Sequence, residues 1–434
     1  MDSFNKYHKY SYSIKHTLLL ISMYFLPEPG GGAAAALNRA TILKMIGYNV
    51  FILCGFPTYP NGKIIEPKYH KKFIYVETIQ NITVIRLRLL QIKHEGYIKR
   101  FILYSNFVIV SILLMPKILK ITGKIDIVYS LAPIIFSSLN GFIYSKIASA
   151  FFIYDVPDLW PEELIVFKST LSPLITVIGK IIAKISYSLP DIIITISNSA
   201  AKIIYDNYKP RPPIYVIPIG VNPSLFPKLL KKESRAKLIK QKILPKELQE
   251  KFIILYAGLI SPAQDVENLI ILAEKIKDIH DIQIVIFGEG ENKPKIAKKI
   301  ESIDNVHLLN YQPRNVMPLI YSSVDIGTVL LSKEPIFDIA FPTKFYEYIA
   351  SNKPVLAICK GELSKIINSN NIGYAVDSDN IDKLIPFIKK MKDCSDLFHI
   401  IEKNVDNTLQ QFSLNSLSLD IKKVLEKEYK NKKN

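Results

Sequence analysis

The stretch "HTLLLISMYFLPEPGGGAAAALNRATILKMIGYNV", residues 16–50, decides the fold because three glycines join a strand-like run to a helix-like run. Glycines let a backbone approach a ligand closely, and the free amides at the start of a helix favour an anion. The spacing of Gly30, Gly31 and Gly32 matches neither G-x-G-x-x-G nor G-x-x-x-x-G-K-[ST]. The segment therefore predicts either an anion-binding turn or a tight turn without a ligand.

The size and composition of the chain are those of a protein with two domains. It has 434 residues, of which 49% are hydrophobic, so a sizeable core is available. Its three cysteines are widely spaced and form no disulfide framework or zinc pattern, which is typical of a reducing compartment. The seven histidines contain no H-E-x-x-H pair. We expect no metal site.

The charge of the chain is positive and unevenly distributed. The net charge is +17, and residues 1–220 hold 24 basic and 12 acidic residues, whereas residues 221–434 hold 32 and 27. A basic first half indicates an anionic partner, such as membrane phospholipid or a phosphorylated substrate. Because no nucleic-acid-binding motif is present, we expect no nucleic acid partner.

The uncharged stretch at residues 101–116 bears on membrane contact. Its 16 residues are fewer than the roughly 20 needed to cross a bilayer. We predict that the segment 100–120 is one helix that lies on a membrane surface, or else packs into the sheet of its domain. The apolar side chains that would enter the membrane are Phe101, Leu103, Phe107, Ile109 and Leu113. Since residues 1–16 are too polar for a signal peptide, we expect a cytoplasmic protein, peripheral on the cytoplasmic face of the membrane.

Short apolar runs alternate with helical patterns along the whole chain, which predicts parallel sheets with crossover helices. The predicted strands are residues 18–25, 49–55, 82–87, 126–132, 151–156, 191–197, 214–220, 252–258, 282–288, 306–310, 325–331, 354–359 and 372–376. We predict an α/β protein with two doubly wound, Rossmann-like domains. The predicted segments are an N-terminal domain (1–220), a charged linker (221–250), a C-terminal domain (251–410), and a helix (411–434) that crosses back to the N-terminal domain and ends in a basic tail.

Ligands of such sheets bind at the carboxyl ends of the strands, so the loops there are candidate sites. Three of them are "DLWPEE" (158–163), "AGLISPAQDVENL" (257–269) and "FGEGENKP" (287–294). In "PTKFYEYIA" (342–350), Lys344 falls in the first turn of a predicted helix and Glu347 one turn later. Free amides and a lysine suit a diphosphate, and a carboxylate suits ribose hydroxyls. The alternative is an ordinary capped helix.

Together these motifs resemble those of the retaining glycosyltransferases of family 4, which have the GT-B fold of two facing Rossmann-like domains with a cleft between them. The resemblance covers nearly the whole chain and follows its order. It is carried by "GGGAAAALNRATILKMIGYNVFIL", "DLWPEE", "IITISNSAAKIIY", "YVIPIGVN", "ILYAGLISPAQDVENLI", "VIFGEGEN" and "PTKFYEYIASNKPVL". The motifs "DLWPE", "AQDVENL" and "PTKFYEYIA" resemble those of the branch that builds surface polysaccharides and lipid-linked glycans, including N-acetylfucosaminyl transferases.

The resemblance implies a UDP- or GDP-linked sugar donor, a glycan or lipid-linked acceptor, and a role in polysaccharide or glycoconjugate biosynthesis. It implies catalytic roles for Lys344 and Asp158 and places Glu162 on the acceptor side. The implied donor-binding residues are Gly31, Gly32, Gln264, Gly288, Arg314, Ala340, Phe341, Pro342, Thr343 and Glu347. The leaving diphosphate would help to deprotonate the acceptor, with no protein nucleophile, cofactor or metal.

The chain departs from the family at several positions. Leu259 and Gln264 stand where the family often has Arg and Lys, and Ile339 replaces the first of two spaced glutamates, with Asp338 one place away. Asp377 and Asp379 form a D-x-D pair that could hold a metal but is better interpreted as a loop and helix cap. Two alternatives remain open: a sugar-nucleotide 2-epimerase of the same fold, and a silent sugar-nucleotide-binding protein.

Overall fold

The computed structural model describes residues 16–28, 30–58, 61–93, 97–131, 135–162 and 173–433. These residues divide into two compact units. The first contains the described residues up to 195 together with 203–217 and those from 417 onward, and the second contains 196–202 and 218–416. Each unit is built on one β-sheet.

The strands are β1 Thr17–Ile21, β2 Asn49–Gly55, β3 Ile74–Ile79, β4 Ile82–Leu87, β5 Ile127–Leu131, β6 Phe151–Val156, β7 Ile192–Thr195, β8 Ile214–Val216, β9 Phe252–Leu259, β10 Ile282–Glu289, β11 Val306–Leu309, β12 Ile326–Leu330, β13 Val355–Ile358 and β14 Gly373–Val376. Continuous apolar runs form most of them, because both faces of a parallel sheet are covered by helices.

The α-helices within the described residues are α1 Gly31–Met45, α2 Tyr97–Leu113, α3 Met115–Thr122, α4 Ile135–Ala148, α5 Pro173–Ser188, α6 Asn198–Tyr208, α7 Lys231–Lys240, α8 Glu267–Lys275, α9 Lys293–Lys299, α10 Met317–Ser323, α11 Thr343–Ala350, α12 Gly361–Ser369, α13 Leu384–Asp393, α14 Ser395–Phe412 and α15 Leu414–Lys433.

The sheet of the first unit has the strand order β3-β4-β2-β1-β5-β6-β7-β8. All neighbouring strands are parallel except β3 and β4. The seven strands predicted for this half are present, and β3 was missed. Gln80 and Asn81 join β3 to β4 with φ of 51° and 59°, as in a two-residue hairpin turn with both central residues in the left-handed region.

The sheet of the second unit has the order β11-β10-β9-β12-β13-β14, with every pair parallel. All six predicted strands of this half are present. The direction of winding reverses between β9 and β12, which is where ligands bind in open parallel sheets. The predicted α/β architecture with two parallel-sheet domains is therefore confirmed.

The segment 221–250, which we expected to be a linker, contains α7 and two 3-10 helices and lies in the second unit. The buried Arg235 of α7 donates from Nη2 to Oδ2 of Asp325 at 2.7 Å and from Nε to the Ser323 carbonyl at 2.6 Å. The amide of Ile253, at the start of β9, donates to the same Asp325 oxygen at 2.8 Å. These contacts hold α7 against the sheet.

The segment 100–120 is not the single helix that we predicted. It is divided between α2 and α3, and the axes of their segments Lys99–Leu113 and Met115–Thr122 are bent by 65°. The break is at Leu114, which is the N-cap residue of α3, and Pro116 lies in the first turn of that helix. In the described part of the chain, no single helix has the length and hydropathy of a membrane span, although this bent pair does when taken together.

Candidate functional site

Helix α11 begins at Thr343, as the sequence predicted. Pro342 precedes it with φ of −59°, and the N-terminus has no hydrogen bond from a capping side chain. The preceding strand, β12, lies at the point where the direction of winding reverses. The amides of the first turn carry the positive end of the helix dipole, so this end of α11 favours an anion.

Lys344 lies in that first turn, and its side chain is buried. Its Nζ donates a hydrogen bond to the Tyr256 hydroxyl at 2.8 Å and lies 4.0 Å from the centroid of the same ring. The Tyr256 hydroxyl in turn donates to the Leu259 carbonyl at 2.6 Å. Burial lowers the pKa of Lys344 to about 7, although nearby Glu347 opposes the shift. Lys344 is thus a buried amine whose hydrogen-bond partner is a neutral phenol.

Two glycines make room beside Lys344 at the carboxyl ends of β9 and β10. A Cβ on Gly258, whose φ is +150°, would lie 3.0 Å from Nζ of Lys344. A Cβ on Gly288 would lie 2.4 Å from the Gly258 carbonyl oxygen. Any side chain at Gly288 would therefore displace the backbone that borders Lys344. The structure places the predicted donor-binding Gly288 next to this site.

Glu347 is one helical turn beyond Lys344 and is mostly buried. The Tyr321 hydroxyl donates to its Oε2 at 2.6 Å, and Nη2 of Arg314 lies 3.6 Å from its Oε1. Burial raises the pKa of Glu347, while Arg314, the Tyr321 hydrogen bond and Lys344 oppose the shift. The pKa shifts of Lys344 and Glu347 both favour the neutral form of the side chain. Such shifts mark the pair as a functional-site candidate.

The loop after β9 carries Gln264. The Ser261 hydroxyl donates to Oε1 of Gln264 at 2.5 Å, and the Gln264 amide donates to the Ser261 carbonyl at 3.1 Å. Leu259, at the other position where the family often has a basic residue, is exposed. Gln264 is thus held in a tight turn at the same edge of the sheet as Gly258.

The segment before α11 is a 3-10 helix, Pro335–Ile339, followed by Ala340 and the buried Phe341. Ile339 is buried, so the position of the missing glutamate belongs to the core here. Asp338 is half-buried, and burial raises its pKa although Lys360 and Lys365 oppose the shift.

In the first unit, Gly30 and Gly31 connect the loop after β1 to α1. Gly30 is the N-cap residue with φ of 110°, and both Gly31 and Gly32 are exposed in the first turn. The predicted strand–glycine–helix arrangement is therefore present. The next four residues are alanines and all of them are buried.

A buried ion pair that the sequence analysis missed fixes α1 on this sheet. Nε of Arg39 lies 2.6 Å from Oδ2 of Asp155 at the end of β6, and both side chains are fully buried. Nη2 of Arg39 donates to the Ile217 carbonyl at 2.7 Å, and the Tyr129 hydroxyl donates to the same Asp155 oxygen at 2.5 Å. The pair links α1, which begins at the glycines, to β6, the strand that precedes Asp158.

Asp158 and Glu162 follow β6 in the loop "DLWPEE". Asp158 is exposed, and burial by the surrounding protein atoms raises the pKa of its carboxyl group. Oε1 of Glu162 accepts from the Tyr208 hydroxyl at 2.6 Å and from Nδ2 of Asn207 at 3.2 Å. Oε2 of Glu162 is buried and has no hydrogen bond in the described ranges. Glu162 is thus anchored to α6, whereas Asp158 faces solvent.

Asp377 serves as a cap. It is the N-cap residue of the 3-10 helix Ser378–Lys383, and its Oδ1 accepts from the Asp379 amide at 3.0 Å and from Nδ2 of Asn380 at 2.7 Å. Those hydrogen bonds lower the pKa of Asp377. The preferred interpretation of the D-x-D pair as a loop and helix cap agrees with this geometry.

The two phenols of the site, Tyr256 and Tyr321, were not predicted. Tyr256 is the one residue with a polar group in the side chain in the run "FIILYAG", and such a residue in a buried strand is a signal for a specific contact. Tyr321 has no comparable signal, because its partner Glu347 lies 26 residues away.

Part of the chain matches a known protein family. Residues 238–408 match the family model of the glycosyl transferases group 1. The matched segment contains the whole cluster of Lys344, Glu347, Arg314 and Tyr256. A comparison with curated protein sequences gives no significant match.

Solved structures match almost the entire chain at low identity. Sucrose-phosphate synthase from Thermosynechococcus elongatus is 16% identical with a TM-score of 0.72, covering 96% of this chain and 100% of that one. HepE of Anabaena in complex with UDP-glucose is 16% identical with a TM-score of 0.65, covering 95% and 99%. Starch Synthase IV of Arabidopsis thaliana bound to ADP and acarbose is 14% identical with a TM-score of 0.68, covering 96% and 99%. The GT-B fold is thereby confirmed, and the group 1 domain within it confirms the predicted enzyme class, a glycosyltransferase.

Proposed function

We propose that the protein is a retaining glycosyltransferase that moves a sugar from a UDP- or GDP-linked donor to a glycan or lipid-linked acceptor in polysaccharide or glycoconjugate biosynthesis. The group 1 match and the nucleotide-bound neighbours support a nucleotide-sugar donor. The motifs shared with family 4 support retention of the anomeric configuration.

The observation that carries the proposal is the environment of Lys344. Lys344 is buried, its pKa is lowered to about 7, and its hydrogen-bond partner is a phenol. Binding of an anion beside such a lysine strongly stabilises its charged form. The start of α11 supplies further amides to the same anion. Both features fit the diphosphate of a nucleotide sugar, and Glu347 is one turn away to accept hydrogen bonds from the ribose.

In the proposed reaction, the bond between the sugar C1 and the diphosphate oxygen breaks, and a bond forms between C1 and the acceptor oxygen on the same face of the sugar. The acceptor proton passes to an oxygen of the departing nucleoside diphosphate. Negative charge develops on that diphosphate as the bond breaks. Lys344 and the first-turn amides stabilise it, and such preorganised charge stabilisation is the largest contribution that a protein makes to this type of step.

The remaining predicted roles complete the proposal. Gly31 and Gly32 contact the sugar phosphate, and Asp158 contacts the reacting sugar. Glu162 acts on the acceptor side, where Tyr208 and Asn207 fix its orientation. Arg314 borders the base and orients Glu347. Ala340 to Thr343 supply backbone contacts to the diphosphate. No divalent cation is needed, because Lys344 and helix amides supply the positive charge.

A donor screen tests the proposal. Each UDP- and GDP-sugar is incubated with the protein, with and without a panel of lipid-linked and glycan acceptors, and NMR records the anomeric configuration of the product. We expect acceptor-dependent transfer with retention, slowed about a hundredfold in Lys344→Ala. Inverted product would contradict retention, and a C2 epimer formed without acceptor would establish the epimerase alternative.

A further inference from the structure

The outer face of the helix layer formed by α2, α4 and α5, here called the α2–α4–α5 face, exposes an unusual number of apolar side chains. Among the described residues, those of large size are Phe101, Ile102, Ile109, Leu113, Leu139, Ile147, Val177, Ile178, Ile181 and Ile185. Contiguous apolar patches beyond a few hundred Å² are uncommon on monomeric proteins and mark interaction sites.

The three helices form one continuous layer. The Ser111 hydroxyl of α2 donates to Oδ1 of Asn140 in α4 at 2.8 Å, and the rings of Phe101 and Phe136 lie 5.3 Å apart edge to face. The Ser138 hydroxyl of α4 donates to the Ser186 carbonyl of α5 at 2.8 Å. Because right-handed crossovers from β4 to β5, β5 to β6 and β6 to β7 put all three helices on one side of the sheet, their exposed side chains point away from it.

Two of the residues predicted to enter a membrane do not belong to this face. Leu103 and Phe107 are buried, because α2 turns that side towards its own unit. Ile109 and Leu113 are 56% and 73% exposed, and α5 adds Ile181 and Ile185 at 55% and 54%. The apolar surface is therefore wider than a single helix. Its residues differ in part from those that the sequence predicted to enter a membrane.

The charge around this face has one sign. The sequences of α2, α3, α4 and α5 contain no Asp or Glu. They contain seven basic residues: Lys99, Arg100, Lys117, Lys120, Lys146, Lys180 and Lys184. Lys180 and Lys184 are exposed and alternate along α5 with Ile181 and Ile185. An apolar surface whose helices carry only basic charges fits a partner that is apolar inside and anionic outside.

We propose that the α2–α4–α5 face docks the protein on the surface of an anionic lipid bilayer. The isoleucines and leucines enter the boundary between headgroups and acyl chains, and the lysines contact lipid phosphates. The exposed apolar side chains on the middle helix, α4, require a surface broad enough to contact three helices at once, as a bilayer does. In a cell, this places the protein on the cytoplasmic leaflet, whose surface is negatively charged.

Vesicle co-sedimentation of the full chain tests the proposal, with phosphatidylglycerol and phosphatidylcholine in equal amounts compared with phosphatidylcholine alone. The variants are Ile181→Ser with Ile185→Ser, and Lys180→Gln with Lys184→Gln. The matched controls are Ile271→Ser with Ile400→Ser, and Lys298→Gln with Lys403→Gln, because these residues are also exposed helical isoleucines and lysines but lie in the second unit.

We expect the wild-type protein to bind the anionic vesicles and lose binding as salt is added. Each test variant should bind about tenfold less tightly or worse, given the free energy contributed by each lysine and each buried apolar group. Both controls should stay within about twofold of wild type, a margin typical of unrelated surface changes. Circular dichroism verifies that each variant is folded. If the serine variant fails to fold, the glutamine variant and the salt titration still test whether the face binds anionic lipid.

Three outcomes would overturn the proposal. The first is equal binding to both kinds of vesicle, or to neither. The second is an equal loss in the test and control variants. The third is a concentration-dependent dimer, detected by light scattering without lipid and lost in the Ile181→Ser, Ile185→Ser variant, which would make the face a contact between copies of the chain.

Discussion

The amine of Lys344 is hydrogen-bonded to the hydroxyl of Tyr256 at 2.8 Å and lies 4.0 Å from the centre of its ring. A phenol and its π-face can hold a cation, but neither neutralises it as a carboxylate would. The site of the ligand-free protein therefore has a basic group close to losing its proton.

The first prediction concerns the substitution Lys344→Met. It should lower turnover about a hundredfold, which corresponds to about 3 kcal/mol, because one charge-assisted contact to the departing diphosphate is lost. Lys353→Met is the matched control, since Lys353 is also buried, with its pKa lowered to about 8 and its Nζ bonded to the Ser322 carbonyl. Near-normal turnover in a folded Lys344→Met protein would remove Lys344 from the mechanism.

The same substitution should stabilise the ligand-free protein. The pKa of Lys344 is lowered from 10.5 to about 7 on folding, so the unfolded chain binds more protons between these values and wild-type stability rises with pH across that window. At pH 7 the free energy of unfolding of Lys344→Met should exceed that of the wild type by a few kcal/mol at most, and the difference should shrink towards pH 10. Urea unfolding at several pH values measures this; a less stable variant at every pH would contradict it.

Proton uptake on nucleotide binding is the second consequence of this pKa. A bound diphosphate should raise the pKa of Lys344 again, so binding of UDP at pH 8 should take up close to one proton. Calorimetric titration in two buffers with different ionisation enthalpies measures the number of protons taken up per UDP bound. Lys344→Met should take up none. An equal uptake in both proteins would assign the proton to another group.

The strands of both sheets could be predicted because each is a nearly continuous apolar run between turn residues. β3 was missed because its sequence, "IYVETI", alternates and pairs antiparallel at the edge, where Glu77 forms an ion pair with the buried Arg86. Lys344 and Glu347 could be found since a helix start is a local pattern. Tyr321 could not, because its contact with Glu347 depends on how α10 packs against α11.

Glu347 provides a further prediction. Glu347→Gln should weaken binding of free UDP or GDP as well as of the intact donor. The loss should be about ten- to a hundredfold, as expected when a hydrogen bond to a charged group is removed. Tyr321→Phe should have a smaller effect in the same direction, since it only removes the 2.6 Å bond that orients the carboxylate. Glu426→Gln, at a surface ion pair with Lys422 in α15, is the control. If only the sugar-dependent part of donor affinity changed, the ribose assignment would be wrong.

Removal of metal ions tests the expectation that the reaction needs no divalent cation. Transfer should continue in EDTA at a rate within about twofold of the untreated enzyme, because lysine and helix-start amides carry the compensating charge. Loss of activity in EDTA, with recovery on addition of manganese or magnesium, would contradict this. Asp377→Asn should then be compared with the wild type, because Asp377 would have to exchange its capping bonds to Asp379 and Asn380 for a metal.

The last prediction concerns Arg39 and Asp155, whose side chains are both fully buried. Arg39→Met should lower the free energy of unfolding by about 3–5 kcal/mol, because it leaves the Asp155 carboxylate buried with its charge uncompensated. Adding Asp155→Asn should recover part of the loss, since a neutral amide costs less to bury than a carboxylate. Lys228→Met, at the exposed ion pair with Asp406, should cost less than about 1 kcal/mol. The midpoint of urea unfolding compares the four proteins, and an Arg39→Met midpoint equal to that of Lys228→Met would show that the pair does not hold α1 on its sheet.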